Sequence, residues 1–387
     1  MLIILILMAV LSLIATDIFV PSLPAIAAYF GQSTNHAELT VSLFLVGFAF
    51  SQLFYGPISD RVGRKPPIIF GLGLFVLGSI LCILAPSFEL FCLGRILEGL
   101  AVGGGLSLTR VVLRDLFSGV TLAVKSSQMA IFICLAPAIA PFVGGLLQNE
   151  FGFRSVFVFL SVYGLFLLAL VIFCFKEPLK HKEKSLSLSR TLKHYRELIS
   201  NFHFMHYVLI TGFGFSAIIL YANILPFIIQ QQLHLSATVN GEVLLFAASG
   251  LTISALISSR IVKRVSPRTL LYLGLSLLLT SGLLLIMTEA LQGTHLFFLA
   301  PCIFLVTLAC GFIFPNALAL SFASINVNIG IAGAIYGFTQ TFISTLVNFL
   351  LNVIPDQGQM LLGIFYVVLS VIGLLLLMVP VKNTIPT

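Results

Sequence analysis

Three ionisable residues lie inside long apolar runs of this chain: Asp17, Arg95 and Glu98. A charge held in hydrocarbon is costly unless it is paired, neutralised or wetted, so each of these needs a partner or a task. Asp17 lies about 15 residues, or 22 Å of helix rise, into the first run, which puts it in the outer half. Arg95 is about six residues, or 9 Å, below the outer end of the fourth run, at a comparable depth. Glu98 follows Arg95 by one turn on the same helix face. Burial and a neighbouring cation act on a carboxyl in opposite directions, and their balance lets such a group bind and release protons near neutral pH. One reading is that Asp17 takes a proton from one side and releases it on the other, with Arg95 adjusting its affinity and competing with substrate. The other is a permanent ion pair of Asp17 or Glu98 with Arg95 that fixes the helices. Glu98 could bind a second proton, change the stoichiometry, or only satisfy Arg95.

Uncharged polar residues in apolar runs form a second group. Gln128, Tyr221, Asn223, Asn316 and Gln340, with the helix-bending Pro226, are candidates to face a central cavity, and each could instead hydrogen-bond a neighbouring helix. The 36 Phe residues are spread over every run, so periodicity does not separate lipid-facing from cavity-facing positions. His203 and His206 share a helix face without further ligands, and the six cysteines form no Cys-x-x-Cys pair. Neither a metal site nor a disulfide framework is indicated. No zincin, nucleophile-elbow or phosphate-loop pattern is present, so neither an enzyme nor an ATP-driven pump is expected, and no cofactor is implied.

The elements that must position these residues are membrane spans. With 59% hydrophobic residues, 9% charged and a mean hydropathy of +1.13, the chain has the composition of a protein whose solvent is the bilayer. At about 20 apolar residues per span, helices are expected near 2–22, 38–55, 68–85, 90–110, 125–147, 154–175, 204–229, 238–258, 269–288, 295–320, 331–353 and 359–380. Twelve long helices rather than alternating ten-residue segments make the fold all-α. All but two of the 20 basic residues, Arg95 and Arg154, then fall at one end, while Glu38, Glu89, Glu150, Glu242, Glu289 and Asp356 fall at the other. The positive-inside rule puts both termini in the cytoplasm and makes the first run a retained helix rather than a signal peptide. This bias accounts for the net charge of +7 through contact with anionic headgroups, so nucleic acid is not an expected partner. A monomer is expected. The stretch 176–203 divides the chain into a bundle over 1–175 and another over 204–387. Within it, a solvated linker leads into a short helix with apolar residues at 188, 192, 195, 198 and 199, suited to lying on the inner leaflet. A basic loop, Arg260 to Arg268, faintly repeats the one after the second span, as in two pseudo-symmetric six-helix halves with a cavity between them.

That earlier loop reads Gly56-Pro57-Ile58-Ser59-Asp60-Arg61-Val62-Gly63-Arg64-Lys65-Pro66-Pro67. It resembles the cytoplasmic signature between the second and third helices of the major facilitator superfamily of secondary transporters. Thr16-Asp17 through Pro21 and Pro24 in the first helix, Gly94-Arg95-Ile96-Leu97-Glu98-Gly99 in the fourth, and Arg114-Asp115 at its inner end are similar to the Bcr/CflA branch of bacterial drug/proton antiporters. So are Ala136-Pro137 with Pro141-Phe142-Val143-Gly144-Gly145 in the fifth helix, Gly311 to Leu320 in the tenth, and Ala332 to Gln340 in the eleventh. The resemblance covers the whole chain. It implies a twelve-helix inner-membrane pump that exports drug-like compounds, among them the bicyclomycin and chloramphenicol type, and is driven by the proton gradient. It also implies that Pro137, Pro141, Gly144 and Gly145 form the element associated with antiporters. Gly56, Asp60, Arg61, Gly63, Arg64, Lys65 and Asp115 then form a cytoplasmic latch that holds the halves together when the outer side is open. A solvated turn that only fixes topology is the alternative for that loop. This chain departs from the relatives at Glu98, where they have Gln, and at Phe19, where they often have Tyr. A proton-coupled importer of the same fold and a non-transporting sensor or channel remain as other classes.

Overall fold

The computed structural model describes residues 1–179, 188–262, 264–323, 325, 329–354 and 358–379. Lys180, Lys182, Lys184, Lys263, Asp356 and Lys382 lie outside the described residues. The chain is helical throughout: α1 Leu2–Asp17, α2 Leu23–Phe30, α3 Thr34–Val62, α4 Lys65–Leu84, α5 Phe88–Leu116, α6 Gly119–Phe151 and α7 Arg154–Cys174, then α8 Leu188–Ile199, α9 Phe202–Phe227, α10 Ala237–Ile261, α11 Pro267–Gln292, α12 Leu296–Phe322, α13 Ile329–Val353 and α14 Gln359–Met378. Eleven segments are long and apolar enough to cross a membrane, with α1 and α2 counted together; the 33-residue α6 completes twelve. Hydrocarbon offers the backbone no partner, so each span must satisfy its own amides, and helices do so locally. Polar residues just outside the spans start many of them. Ser33, Ser87, Asn201, Ser236 and Ser266 each accept a backbone N–H from the first turn that follows.

Two boundary differences bear on the site. The first span does not end at residue 22. It passes through a 3₁₀ turn at Val20–Ser22, where Pro21 and Pro24 sit in first-turn positions that need no N–H donor, and continues as α2 to Phe30. Asp17 is therefore near the middle of its span rather than in the outer part. The charged loop after the second span is also mostly helix: α3 runs through Pro57 to Val62, leaving only Gly63 and Arg64 before α4. Gly63 has φ +103°, a conformation open to glycine.

Helices α1 to α7 pack on one another, as do α9 to α14, and the two sets meet mainly where α3 lies against α13 and α6 against α10. α8 touches both. Leu198 is buried with Phe204, Ile335 and Tyr336 of the second set, while the Tyr195 hydroxyl donates to the Leu53 carbonyl of the first at 2.9 Å. Outside, Phe173 and Phe297 are 83% and 81% exposed, positions suited to acyl chains.

α6 packs closely on its neighbours where it carries Gly144, against the first span, and Gly145, against the second set. A Cβ on Gly144 would lie 1.8 Å from the Ile18 carbonyl oxygen, and one on Gly145 would lie 2.5 Å from that of Ala237. The obstacles are backbone atoms, so they cannot swing aside. Gly144→Ala is expected to destabilise the protein by about 1–3 kcal/mol through overpacking. Gly73→Ala, where a Cβ meets nothing within 4 Å, should be neutral or stabilising. Thermal unfolding of both variants in detergent checks this, and equal midpoints would show that the contact at α6 can relax.

Candidate functional site

A small cavity of about 50 Å³ lies between the two sets. Asp17 and Val20 enter it from the first span, Pro137 and Pro141 from α6, Ile218, Tyr221 and Ala222 from α9, Leu244, Ala248 and Leu251 from α10, and Thr307 from α12. Asp17 is the one ionisable carboxyl among its lining residues. The break in the first helix explains its place. α1 ends at Asp17, so the side chain stands where the helix gives way to the 3₁₀ turn, half-buried and with no cation in ion-pair range among the described residues. Pro137 and Pro141 leave carbonyls on α6 without their usual helix donors and also present ring faces to the cavity.

Arg95 is not at this cavity. It is fully buried and ion-paired with Glu98, whose Oε1 also accepts the Ser79 hydroxyl at 2.6 Å. Its guanidinium carbon lies 3.8 Å from the ring centroid of Phe19, 4.4 Å from Phe44 and 5.8 Å from Phe157. Nε and Nη2 have no hydrogen-bond acceptor and face this aromatic shell instead. Of the alternatives open for Arg95, the structure shows the pair with Glu98, and Asp17 is left to the cavity. Phe19 belongs to the shell and does not line the cavity, although it is only two residues from Asp17.

The other expected cavity residues are dispersed. Tyr221 lines the cavity. Asn223 is fully buried and donates to Asn348 Oδ1 at 2.6 Å. Asn316 donates to Ser258 Oγ at 2.9 Å and to the Phe312 carbonyl at 2.8 Å. Both amides serve neighbouring helices, the alternative left open for them. Gln128 is exposed and accepts the Lys125 ammonium at 3.2 Å, and Gln340 is half-buried on α13; neither is in the cavity lining. One polar line escaped the sequence reading. Asn348 donates to Ser42 Oγ at 2.7 Å, and Asn352, with its amide turned to satisfy both ends, donates to Glu38 Oε2 at 2.5 Å. The available signal was the polar spacing 341, 345, 348 and 352 along α13.

At the basic end, Arg64 donates through Nε to Asp115 at 2.7 Å and through Nη1 to Ser59 Oγ at 2.7 Å and to Asp60. Burial opposes its charge, but the bonds to Asp115 and Asp60 outweigh that and hold its proton more tightly than usual. Glu177, in a stretch read only as a solvated linker, accepts the backbone N–H of Arg64 and of Lys65 at 2.9 Å each and so caps α4. The Lys65 ammonium reaches the Ile172 carbonyl at 2.8 Å, Arg61 is exposed, and Gly56 has open space around it. All these partners lie in α3, α4, α5, α7 and the residues just after α7. The cluster therefore does not bridge the two sets in this structure; hydrogen bonds across the seam include Gln230 to Pro21, Asn149 to Thr238 and Asn35 to Asn352 towards the opposite end, and Gln52 to Thr341 in the inner half of α3.

A central cavity between two packed helix sets, with the charged turn after the second span, fits one family, and its sequence profile, the Major Facilitator Superfamily, matches residues 5–351. The chain belongs to the major facilitator superfamily. Among its relatives, an uncharacterised MFS-type transporter, YdgK of Bacillus subtilis (strain 168), is 29% identical over 373 residues, 95% of this chain and 91% of that one. The multidrug resistance protein MdtL of Escherichia coli O139:H28 is 29% identical over 367 residues, 94% of this chain and 90% of that one. The fold is similar to a partially occluded inward-open conformation of the xylose transporter XylE from E. coli, with a TM-score of 0.77 at 14% identity over 100% of this chain and 98% of that one. This chain is thus a multi-pass membrane transporter with the twelve-helix fold of the superfamily.

In this transporter the Arg95–Glu98 pair has a separable structural cost. Glu98→Ala would leave a buried guanidinium without its counter-charge and should cost about 3–5 kcal/mol. Arg95→Met combined with Glu98→Leu should recover most of that loss, because both charges go together. Unfolding midpoints of the single and double variants check this; a double variant as unstable as the single one would mean that Arg95 is held chiefly by its aromatic shell.

Proposed function

We propose that this protein is a proton-coupled exporter of drug-like compounds of the Bcr/CflA type, working as a monomer by alternating access in a bacterial inner membrane, with both termini cytoplasmic. The two bundles are residues 1–175 and 204–387, joined by 176–203, and the basic end of the molecule is the cytoplasmic one. The observation that carries this reading is Asp17 as the lone ionisable carboxyl in the lining of the inter-bundle cavity, with Arg95 committed to Glu98. A cationic or polar compound entering from the cytoplasm favours the ionised Asp17 and displaces its proton, and reprotonation from outside expels the compound. Substrate and proton thereby exclude each other at one carboxyl, which is sufficient for exchange.

Support comes also from the multidrug resistance protein MdtL, related along nearly its whole length. In α6, Pro137 and Pro141 shape the cavity wall while Gly144 and Gly145 hold α6 against Ile18 and α10, a stiff contact suited to an exchanger that must not leak protons. The rest of the cavity lining is apolar apart from Tyr221 and Thr307, which suits hydrophobic compounds of varied shape better than a sugar.

Proton release in everted vesicles tests this directly. With a pH-gradient dye and a panel of antibiotics, wild type should collapse part of the gradient on adding a substrate, and Asp17→Asn at equal expression should not. Unimpaired, pH-dependent exchange in Asp17→Asn would overturn the proposal. The Asp60–Arg64–Asp115 cluster has a different expectation: Asp60→Asn should slow exchange several-fold while binding of the same compound, followed by fluorescence quenching, stays within about twofold, less than 0.5 kcal/mol. Wild-type turnover in Asp60→Asn would reduce the cluster to a fixture of topology.

A further inference from the structure

Glu38 was expected at the outer end of the second span, and it is fully buried, five residues into α3 and one turn from Ser42. Asn352 of α13, on the other bundle, donates to Glu38 Oε2 at 2.5 Å and to the Asn348 carbonyl at 3.2 Å. The line continues inward through Asn348 to Ser42 and Asn223, all buried. Above it, Asn35 ties α3 to the carbonyls of Asn352 and Ile354 at 2.9 and 3.1 Å. Glu38 therefore lies in the seam itself, close to the acidic end, on the opposite side of α3 from the Arg95 shell.

We propose that Glu38 is a second proton-binding site, which reads the acidity outside the membrane and governs opening of the outer seam without carrying a proton across. The argument rests on the alternating-access reading above and on geometry. Opening the outer side must separate α3 from α13, break the Glu38–Asn352 bond and admit water to the carboxyl. A carboxyl that is dry in one state and wet in the other binds protons differently in the two, and by linkage the proton concentration outside then biases the equilibrium between them. The dry seam favours the neutral acid, since an ionised carboxylate there loses its water. Acid outside therefore favours closure. The proton adds to a Glu38 oxygen from outer water and returns to the same water on reopening, so none is transported.

Ionisable groups on the helices packed against α3 do not replace it in this role. From α5 come Arg95 and Glu98, which pair with each other, and Glu89 at the exposed start of the helix. From α2 comes Tyr29, which accepts Arg154. Tyr221 of α9 lines the central cavity, His203, His206 and Tyr207 lie at the other end of α9, Tyr336 of α13 bonds Thr211, and Lys65 of α4 lies at the basic end. On α3 itself, His36 is exposed and bonded to Gln32. Asp356 lies outside the described residues.

The test is a distance measurement that needs no transported compound. Spin labels at Ser33 and Gln292, both exposed near the acidic end on opposite bundles, report the outer separation in a full-length chain whose six native cysteines are replaced, reconstituted in nanodiscs. Between about pH 5 and 8 the longer distance should gain population as pH rises, by at most tenfold per pH unit for one proton. Glu38→Gln, which keeps an amide in the seam, should remain at the short distance at every pH. Asn352→Ser should move the midpoint of the change, and Asp17→Asn should retain it. The proposal fails if the pH response survives in Glu38→Gln, if the parent shows none, or if sodium at fixed pH produces it instead. Loss of the response in Asp17→Asn alone would also overturn it, whereas unimpaired exchange in Asp17→Asn with the response intact would count only against Asp17 as the transported-proton site.

Discussion

A bilayer interior offers no hydrogen bonds, and nearly every feature of this chain answers to that. The backbone meets the constraint by forming helices. Side-chain hydroxyls meet it locally, as when Thr16 bonds the Ser12 carbonyl at 3.2 Å and Ser216 bonds that of Gly212 at 2.8 Å. Amides cannot be satisfied within one turn, so they join helices: Asn316 to Ser258, Asn223 to Asn348. A guanidinium requires still more. Arg95 takes a carboxylate from its own helix and three aromatic rings from α1–α2, α3 and α7, and that demand holds the first bundle together around it.

With Arg95 satisfied in this way, Asp17 has no ion-pair partner among the described residues, and it stands in the lining of the cavity. The same break that ends α1 at Asp17 turns Phe19 back towards Arg95, so two residues apart in sequence serve different compartments. Packing and function are linked through this short turn. The cavity sits beside a close backbone contact, because the prolines that open α6 at 137 and 141 are followed one turn later by the glycines that bring it against Ile18 and α10.

The two ends of the molecule are built differently. Near the acidic end the bundles are joined by neutral amides, hydroxyls and one carboxyl, contacts that form or break at low cost when water enters. At the basic end the strong charge-assisted bonds stay inside the first bundle, where Glu177 and Asp115 fix the turn between α3 and α4.

Much of this was legible in the sequence by itself. Hydropathy determined the class, the number of spans and the all-α fold, since length and apolarity are properties of a segment alone. The distribution of lysine and arginine pointed to an orientation, and the spacing of Arg95 and Glu98 placed them on one face where they pair. What the tertiary structure decided was every choice between partners on different helices. Asn223 and Asn316 read identically to cavity residues, Glu38 read as a charge at the outer end of its span because α3 begins four residues earlier than its hydropathy suggests, and Glu177 looked like linker. A polar side chain in a membrane has to bond to something, but which neighbour it meets depends on helix rotation and crossing, and those follow from the packing of all twelve spans together.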